Sequence, residues 1–351
     1  MAFTEILTAN GLTEEQWDNN IFAEYLGPNW WKFLMRQEKK GSDGVIVTKT
    51  QLTKGVGDAI TIGLASRVVG GRVKGNNKGI GNEGKMDFFN QRIVIDNDRV
   101  LVKITDVPMT NKRVGFDVLT KAKNGLVIEA GVNLEEDITT ALSVVTTGRV
   151  QGRYLYGAKD SNWNATHATA LQNVELTDDK LTGKMISITK RKALIPKNAV
   201  AKIRPARFVN GKAFEEWYVL VAHPYAIRDL VDGDAAWKNA QLLLPPSSNQ
   251  SSVIRTGSSF KGAWNGVLVY EYDRILLESS SIQIAHNLFL GAQAGAVVWG
   301  QTPKFGEEPS DLGHDMTFEV HEIRNIAKLV FNRATEEDHG VVHLFTAGVS
   351  D

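Results

Sequence analysis

Gly79, Gly84 and Lys85, in the stretch KGIGNEGKM (78–86), spell G-x-x-x-x-G-K. This is the spacing with which a glycine-rich loop cradles phosphates while a lysine neutralises them. That chemistry needs a Ser or Thr after the lysine to hold magnesium, and a buried strand before the loop. It also needs a helix after the loop whose first amides face the phosphates. Met86 stands where the hydroxyl should be, GGRVKGNNK upstream is polar, and MDFFNQRIVIDNDRVLV downstream reads as extended. Glu83 places a negative charge inside the loop itself. The stretch therefore reads as a flexible glycine-rich loop, with no nucleotide or other cofactor expected.

The remaining reactive residue types are similarly unproductive. His314 with His321 and His339 with His343 are the histidine pairs that could hold a metal, but no HExxH occurs. HGVVHLF looks like strand, so surface or hydrogen-bonded histidines are expected and no metal ligand is assigned. The acid pairs Glu135–Glu136, Asp178–Asp179 and Glu307–Glu308 are adjacent in sequence, so their side chains diverge on either kind of element. No G-x-S-x-G elbow is present, and the absence of cysteine removes disulfides and thiolate chemistry. No catalytic residue emerges, and the expected role is not enzymatic.

The chain has 351 residues, of which 42% are hydrophobic and 23% charged, an ordinary balance for a folded protein. Forty Lys and Arg against forty Asp and Glu cancel overall. Their distribution is uneven. Residues 180–212 carry ten Lys or Arg and no acid, whereas 305–351 carry ten acids against Arg324, Lys328 and Arg333. Such polarity suits contacts between copies of the chain, or two solvated faces. The basic run has only Phe208 as an aromatic, which leaves non-specific phosphate contact rather than specific nucleic-acid recognition. The N-terminus lacks the pattern of a secretory signal, and no apolar run approaches the ~20 residues of a bilayer span. A soluble protein without a membrane partner is expected.

The elements that would position these residues follow from periodicity. Trp30, Trp31, Phe33 and Leu34 form an aromatic anchor for the chain's own core or a neighbouring copy. From Val45 to Met109 the reading is mostly extended, with two strand-like arms joined by GGRVKGNNKGIGNEGK as a long hairpin-like excursion. Residues 117–147 predict a long helix. Leu119, Ala122, Leu126, Ala130, Leu134, Ile138, Leu142 and Val145 form one apolar stripe, over about 45 Å at 1.5 Å per residue. Mixed strands and loops are expected to about Arg207, then a buried strand at WYVLVA and a helix beginning near Pro224. LLPPSSNQSSV (243–253) reads as a loop, GVLVYEYDRILL as a strand, and IAHNLFLGAQAGAVVWG as a buried helix. MTFEVHEIRNIAKLVFN reads as a strand near the close of an α+β fold.

In that order the segments resemble a group of tailed-bacteriophage major capsid proteins. Gly57, Asp58, Ile60 and Thr61 match its GD-x-[IV]-T stretch, Gly81, Asn82 and Glu83 its loop, and Val94, Ile95 and Asp96 the following strand. His223, Pro224, Asp229, Leu230 and Trp237 are similar to a second segment. Gly262, Asn265, Gly266 and Val267 match a third, and Leu290, Gly291, Ala292, Gln293 and Ala294 a fourth. The resemblance is colinear over roughly 45–335 and weakest before it.

The resemblance implies an α+β Hong Kong 97-type coat fold. Residues 1–45 would form an N-terminal arm, 46–115 an extended β loop with flanking strands, and 116–150 the spine helix of a peripheral domain. Residues 151–300 would form mainly an axial domain, and 301–351 the return strands of the peripheral domain and the C-terminus. It implies self-assembly into hexamers and pentamers of an icosahedral head in the host cytoplasm, enclosing double-stranded DNA held by non-specific contact. Scaffolding, portal and decoration proteins are possible partners. Arg72, Lys74, Lys78 and Lys85 would then be loop contacts to acids of a neighbouring subunit. No Lys–Asn pair for covalent crosslinking is identified. The alternatives are a nanocompartment shell of the same fold and, from another class, a P-loop or metal-dependent enzyme.

Overall fold

The apolar stripe of the long helix organises the protein. In the computed structural model the chain is described over residues 29–37, 44–53, 55–66, 68–113, 118–146, 149–195, 202–210, 213–243, 259–331 and 337–350. Most of the expected arm 1–45 and the expected loop 243–253 lie outside them. A short helix α1 (Val107–Arg113) precedes the 26-residue helix α2 (Val118–Ser143). Leu126, Ala130, Leu134, Ile138 and Leu142 of α2 are buried, with Leu119 and Ala122 packed beside them. Burying such side chains contributes about 1.5–3 kcal/mol for each larger one. Gly125 and Gly131 cost about 1 kcal/mol each relative to Ala, so the stripe outweighs them and the helix runs through both.

The stripe lies on a five-stranded sheet of order β1-β2-β13-β14-β5. Its strands are β1 (Met35–Gln37), β2 (Ile46–Lys49), β5 (Asp96–Ile104), β13 (Gly295–Ser310) and β14 (Asp315–Lys328). The antiparallel β13–β14 hairpin is its long central pair. Phe318 and Val320 of β14 meet Leu134 and Ile138 in one core, which also takes in Val219, Val221, Leu268 and Leu288 of a second sheet.

That second sheet runs β6-β15-β12-β8-β10-β9, with β7 paired to β8 and β11 to β12. Its strands are β6 (Tyr154–Tyr156), β7 (Ala206–Asn210), β8 (Ala213–Ala222), β9 (Phe260–Trp264), β10 (Val267–Glu271), β11 (Leu277–Ser279), β12 (Gln283–Leu290) and β15 (Val341–Ala347). Helices α3 (His167–Gln172), α4 (Gly183–Leu194), α5 (Pro224–Gly233) and α6 (Ala235–Leu243) complete this part. Pro224 stands in the first turn of α5, and His223 Nδ1 caps it by accepting from the Tyr225 amide at 3.2 Å.

Three expectations are corrected. IAHNLFLGAQAGAVVWG is not a helix but the end of β12, a turn and the start of β13. Every residue from Ile284 to Leu290 is buried because both faces of β12 are covered, Leu288 and Leu290 in the core under α2 and Ala285 and Phe289 in a second core, so no polar alternation marks it as strand. Gln293 makes the turn with φ 56°. The stretch expected to hold strands and loops before Arg207 contains the 12-residue α4, capped by Thr182, whose hydroxyl accepts from Met185 N at 3.3 Å. Finally, the extended reading to Met109 misses α1, which starts at Val107 immediately before Pro108.

The excursion after β2 is a two-stranded antiparallel ribbon, β3 (Ala59–Ala65) with β4 (Phe88–Val94), carrying residues 66–87 at its far end. QRIVIDNDRVLVKIT, a single strand by pattern, divides at Ile95. Its first part closes the ribbon as β4 and its second joins the main sheet as β5.

Candidate functional site

The ribbon is the element least explained by the chain's own core. Its arms continue past β3 and β4, with Val69 and Lys85 exchanging two backbone hydrogen bonds, both 2.9 Å. Gly71 and Gly84 permit this approach. A Cβ on Gly71 would stand 2.6 Å from Gly84 N, and one on Gly84 the same distance from Val68 Cγ1. Gly71 also holds φ +75°, a left-handed conformation that L side chains rarely adopt. Gly79 meets nothing within 4 Å. The glycine of the phosphate-loop spelling that has a structural duty is therefore Gly84, and the duty is the crossing of two arms.

The loop also fills its own amides. The Glu83 carboxylate accepts from Gly81 N at 2.9 and 3.0 Å, and this backbone bond lowers its pKa. A phosphate would have to displace a carboxylate there. Lys85 Nζ pairs with Asp87 at 3.1 Å, and the chain beyond enters β4 rather than a helix. The geometry is that of a ribbon tip.

Arg72, Lys74, Lys78 and Lys85 are all exposed on this tip. Among the described residues, the only ion pair engaging any of the four is Lys85 with Asp87. Apolar side chains accompany them. Val68, Val69, Ile80, Met86 and Phe88 are exposed, Ile80 at 90% and Phe88 at 73%. A two-stranded ribbon buries little of its own surface, so cations and apolar groups alike face outward.

The root, by contrast, is clamped. Ile60 and Ile93 are buried with Ala296, Val298, Leu329 and Phe331. Gln91, half-buried on β4, donates from Nε2 to Lys328 O at 2.9 Å. Its Oε1 accepts from Val330 N at 2.8 Å and Phe331 N at 3.1 Å. One side chain thus satisfies three backbone groups at the end of β14.

The aromatic anchor docks on the chain's own core. Trp31 is fully buried in the core of α2, and its Nε1 donates to Thr139 Oγ1 at 3.1 Å. The Trp30 amide donates to Glu135, and the Trp30 ring stacks on Tyr272 with centroids 4.6 Å apart. Glu135 is buried and Glu136 exposed, yet Arg274 Nη1 lies 3.7 Å from the one and 3.4 Å from the other, so this acid pair shares a cation. Asp178 reaches Lys159. Asp179 is buried and accepts from Ala158 N, Asn162 Nδ2 and Glu175 N at 2.6–3.0 Å.

The histidine pairs do not converge. His314 faces Asp106 and His321 faces Glu319, whereas His343 is fully buried against His286, Lys328 and Asp338. Among the described residues no group of three or more His, Asp or Glu is arranged to hold a metal ion. Sequence reasoning missed Gln91 and this buried cluster. His343 belongs to the spaced pair His339–His343, yet it meets His286, Lys328 and Asp338 instead. No described helix is long and apolar enough to cross a membrane.

Comparison with known proteins accords with this architecture. The family model described as phage capsid protein matches residues 6–349. The cyanophage Pam1 capsid asymmetric unit is 25% identical, with a TM-score of 0.74 over 92% of each chain. The capsid of Ralstonia phage GP4 shares the fold at 20% identity, again with a TM-score of 0.74 over 92% of each chain. The acid-stable capsid of Helicobacter pylori bacteriophage KHP30 shares it at 12% identity, with a TM-score of 0.66 over 90% of this chain and 89% of that one. No curated protein matches the sequence.

Proposed function

We propose a shell-building mechanism from one premise: the chain belongs to the phage capsid protein family and is a major capsid protein. In this reading the α+β fold is of the Hong Kong 97 type. Helix α2 is the spine of the peripheral domain (116–150), and the ribbon within 46–115 is the extended loop. Residues 151–300 form mainly the axial domain, 301–351 return to the peripheral domain, and 1–45 form the arm. Copies assemble in the host cytoplasm into hexamers and pentamers that close an icosahedral head around double-stranded DNA. Scaffolding, portal and decoration proteins are partners in that process. The exposed Lys184 and Arg191 of α4 support non-specific contact of the run 180–212 with packaged DNA. The family match favours a phage head over a nanocompartment shell.

The observation that carries the mechanism is the contrast between the ribbon's root and tip. A root fixed by Gln91 and a buried apolar cluster aims a tip whose cations and apolar groups have little to contact on their own chain. The tip is built to meet a second copy. Exposed ion pairs contribute about 0–1 kcal/mol each, so Arg72, Lys74, Lys78 and Lys85 guide the contact more than they hold it. Covering Ile80 and Phe88 contributes about 1.5–3 kcal/mol each. Interfaces of this modest strength become cooperative when a symmetric shell closes.

Changing all four cations to Glu reverses the tip from four positive charges to four negative. The subunit should keep its fold, measured by circular dichroism and thermal melting, yet fail to form shells in electron micrographs. Normal shells from that variant would overturn the role assigned to the four residues.

A further inference from the structure

Beneath the ribbon root lies a buried row of titratable groups that shell building does not explain. His343 on β15 and His286 on β12 are both fully buried, and His343 Nδ1 lies 2.7 Å from His286 Nε2. On its other side His343 Nε2 stands 3.2 Å from Lys328 Nζ of β14 and 3.1 Å from Asp338 Oδ2 in the segment before β15. Lys328 Nζ is also 2.7 Å from Asp338 Oδ1, which accepts from Thr146 Oγ1 at 2.9 Å. Tyr154 of β6 stacks on the His343 ring at 4.5 Å, its hydroxyl bonded to Thr146. Beyond His286, Glu278 of β11 lies 3.0 Å from Nδ1, close but poorly aligned. The other Glu278 oxygen meets His167 Nε2 of α3 at 2.8 Å. Tyr156, bonded to His167 Nδ1 at 2.7 Å and receiving a hydrogen bond from Arg149, ends the row.

One proton order serves the inner part of this row. Lys328 donates to His343 Nε2, His343 Nδ1–H donates to His286 Nε2, and His286 Nδ1–H points toward Glu278. Both inner histidines are then neutral, each with one proton. The decisive feature is His343 Nε2, which stands almost equally far from an ammonium donor and a carboxylate acceptor. Unprotonated, it can only accept from Lys328. Protonated, it can only donate to Asp338.

Lys328 is also a structural joint. Its Nζ donates to Val144 O just past the end of α2 and lies 3.2 Å from Thr146 Oγ1, while its carbonyl accepts from Gln91 of the ribbon. We propose that the Lys328–Asp338–His343–His286 cluster is an acid-operated latch: each opening of the joint between ribbon root, end of α2 and β15 frees His343 to take up a proton, and the protonated ring can no longer accept from Lys328, so acid holds the joint open. The inference goes beyond the assembly role and does not depend on it, because every group belongs to one chain.

Burial, reinforced by the charge on Lys328, brings the His343 pKa down to about 3. Burial likewise lowers that of His286. Burial also works to raise the carboxyl of Glu278, but the hydrogen bond from His167 and the nearness of His286 outweigh it and bring the pKa down to about 2. Burial has the same tendency at Asp338, where His343 and Lys328 overcome it and hold the carboxyl well below its usual range. Between pH 6.5 and 3 the unfolded chain binds the His343 proton and the folded chain does not. Folded stability therefore falls as pH falls through that window. From pH 7 to pH 5, His343 alone multiplies the equilibrium of any opening that frees its ring by about 25-fold, taking 6.5 as the value in the opened form.

Hydrogen exchange of the full-length protein at pH 7 and pH 5, corrected for intrinsic rates, tests the latch. Protection at 88–94, 141–146, 326–331 and 341–347 should fall together in the wild type on acidification, by at least tenfold, and the step should vanish in His343→Gln. Equal protection at both pH values in the wild type, or an undiminished step in His343→Gln, overturns the proposal. If that variant fails to fold, His286→Gln and the wild-type profile decide. Acid loss spread evenly over the chain rather than concentrated in these four segments would equally refute a latch.

Discussion

Replacing Gln91 with Ala tests whether the ribbon is aimed by its root. The side chain makes three hydrogen bonds to the backbone of residues 328–331. Removal leaves two N–H groups and one carbonyl half-buried at the end of β14. At a net of about 1 kcal/mol for each bond, the root should lose about 3 kcal/mol of local stability. With tenfold for each 1.4 kcal/mol, that is a fall of roughly 140-fold in protection at 88–94 and 328–331. Hydrogen exchange with mass spectrometry reads it directly. Protection over 126–142 in α2 should be unchanged, because that core does not touch Gln91. Gln91→Glu should lose less, since a carboxylate can still accept from Val330 and Phe331. Shell yield should fall with the loosening of the root. Unchanged protection at 328–331 in Gln91→Ala would refute the clamp, and normal protection with failed assembly would move the cause elsewhere.

Two further perturbations address the anchor and the loop. Trp31→Ala empties a fully buried site against α2 and removes the bond to Thr139, so urea denaturation should show a loss of about 3–5 kcal/mol. A loss below 1 kcal/mol would mean that the segment is only loosely docked. Gly71→Ala should disturb the arm crossing, with about 1–2 kcal/mol of backbone strain added to the contact with Gly84. Gly79→Ala should leave the subunit's own stability unchanged in the same denaturation, because no other part of the chain lies within 4 Å of its Cβ position. A phosphate loop predicts impaired nucleotide binding on changing Gly79. Isothermal titration with magnesium and ATP should show no heat of binding in the wild type or either variant.

What could be read from sequence depended on how each element is buried. Helix α2 has one face in the core, so its apolar residues recur with helical spacing and the stripe is visible. The ribbon was legible for the opposite reason: two β-branched arms flank a polar, glycine-rich tip that no core constrains. Strands β12 and β13 were misread because both faces of β12 are covered, leaving a fully buried run in which even the adjacent His286 and Asn287 mark no two-residue period. Helix α4 was hidden by its lysines. The run 180–212 drew attention as a charge patch, although Thr182 at its cap and buried Met185, Ile186 and Ala193 mark a helix. The exposed state of Arg72, Lys74, Lys78 and Lys85 was foreseeable from their company. The buried cluster was legible only in part: Asp338 stands close before His343 in sequence, whereas Thr146, Glu278 and His286 come from distant parts of the chain that sequence spacing does not connect.

Size-exclusion chromatography of the purified protein, with electron microscopy of the leading fractions, tests the central claim most directly. The account predicts closed shells, capsomers or sheets of regular curvature, formed by the wild type and lost when the four loop cations become Glu. A protein that remains monomeric even with a scaffold candidate added would contradict it.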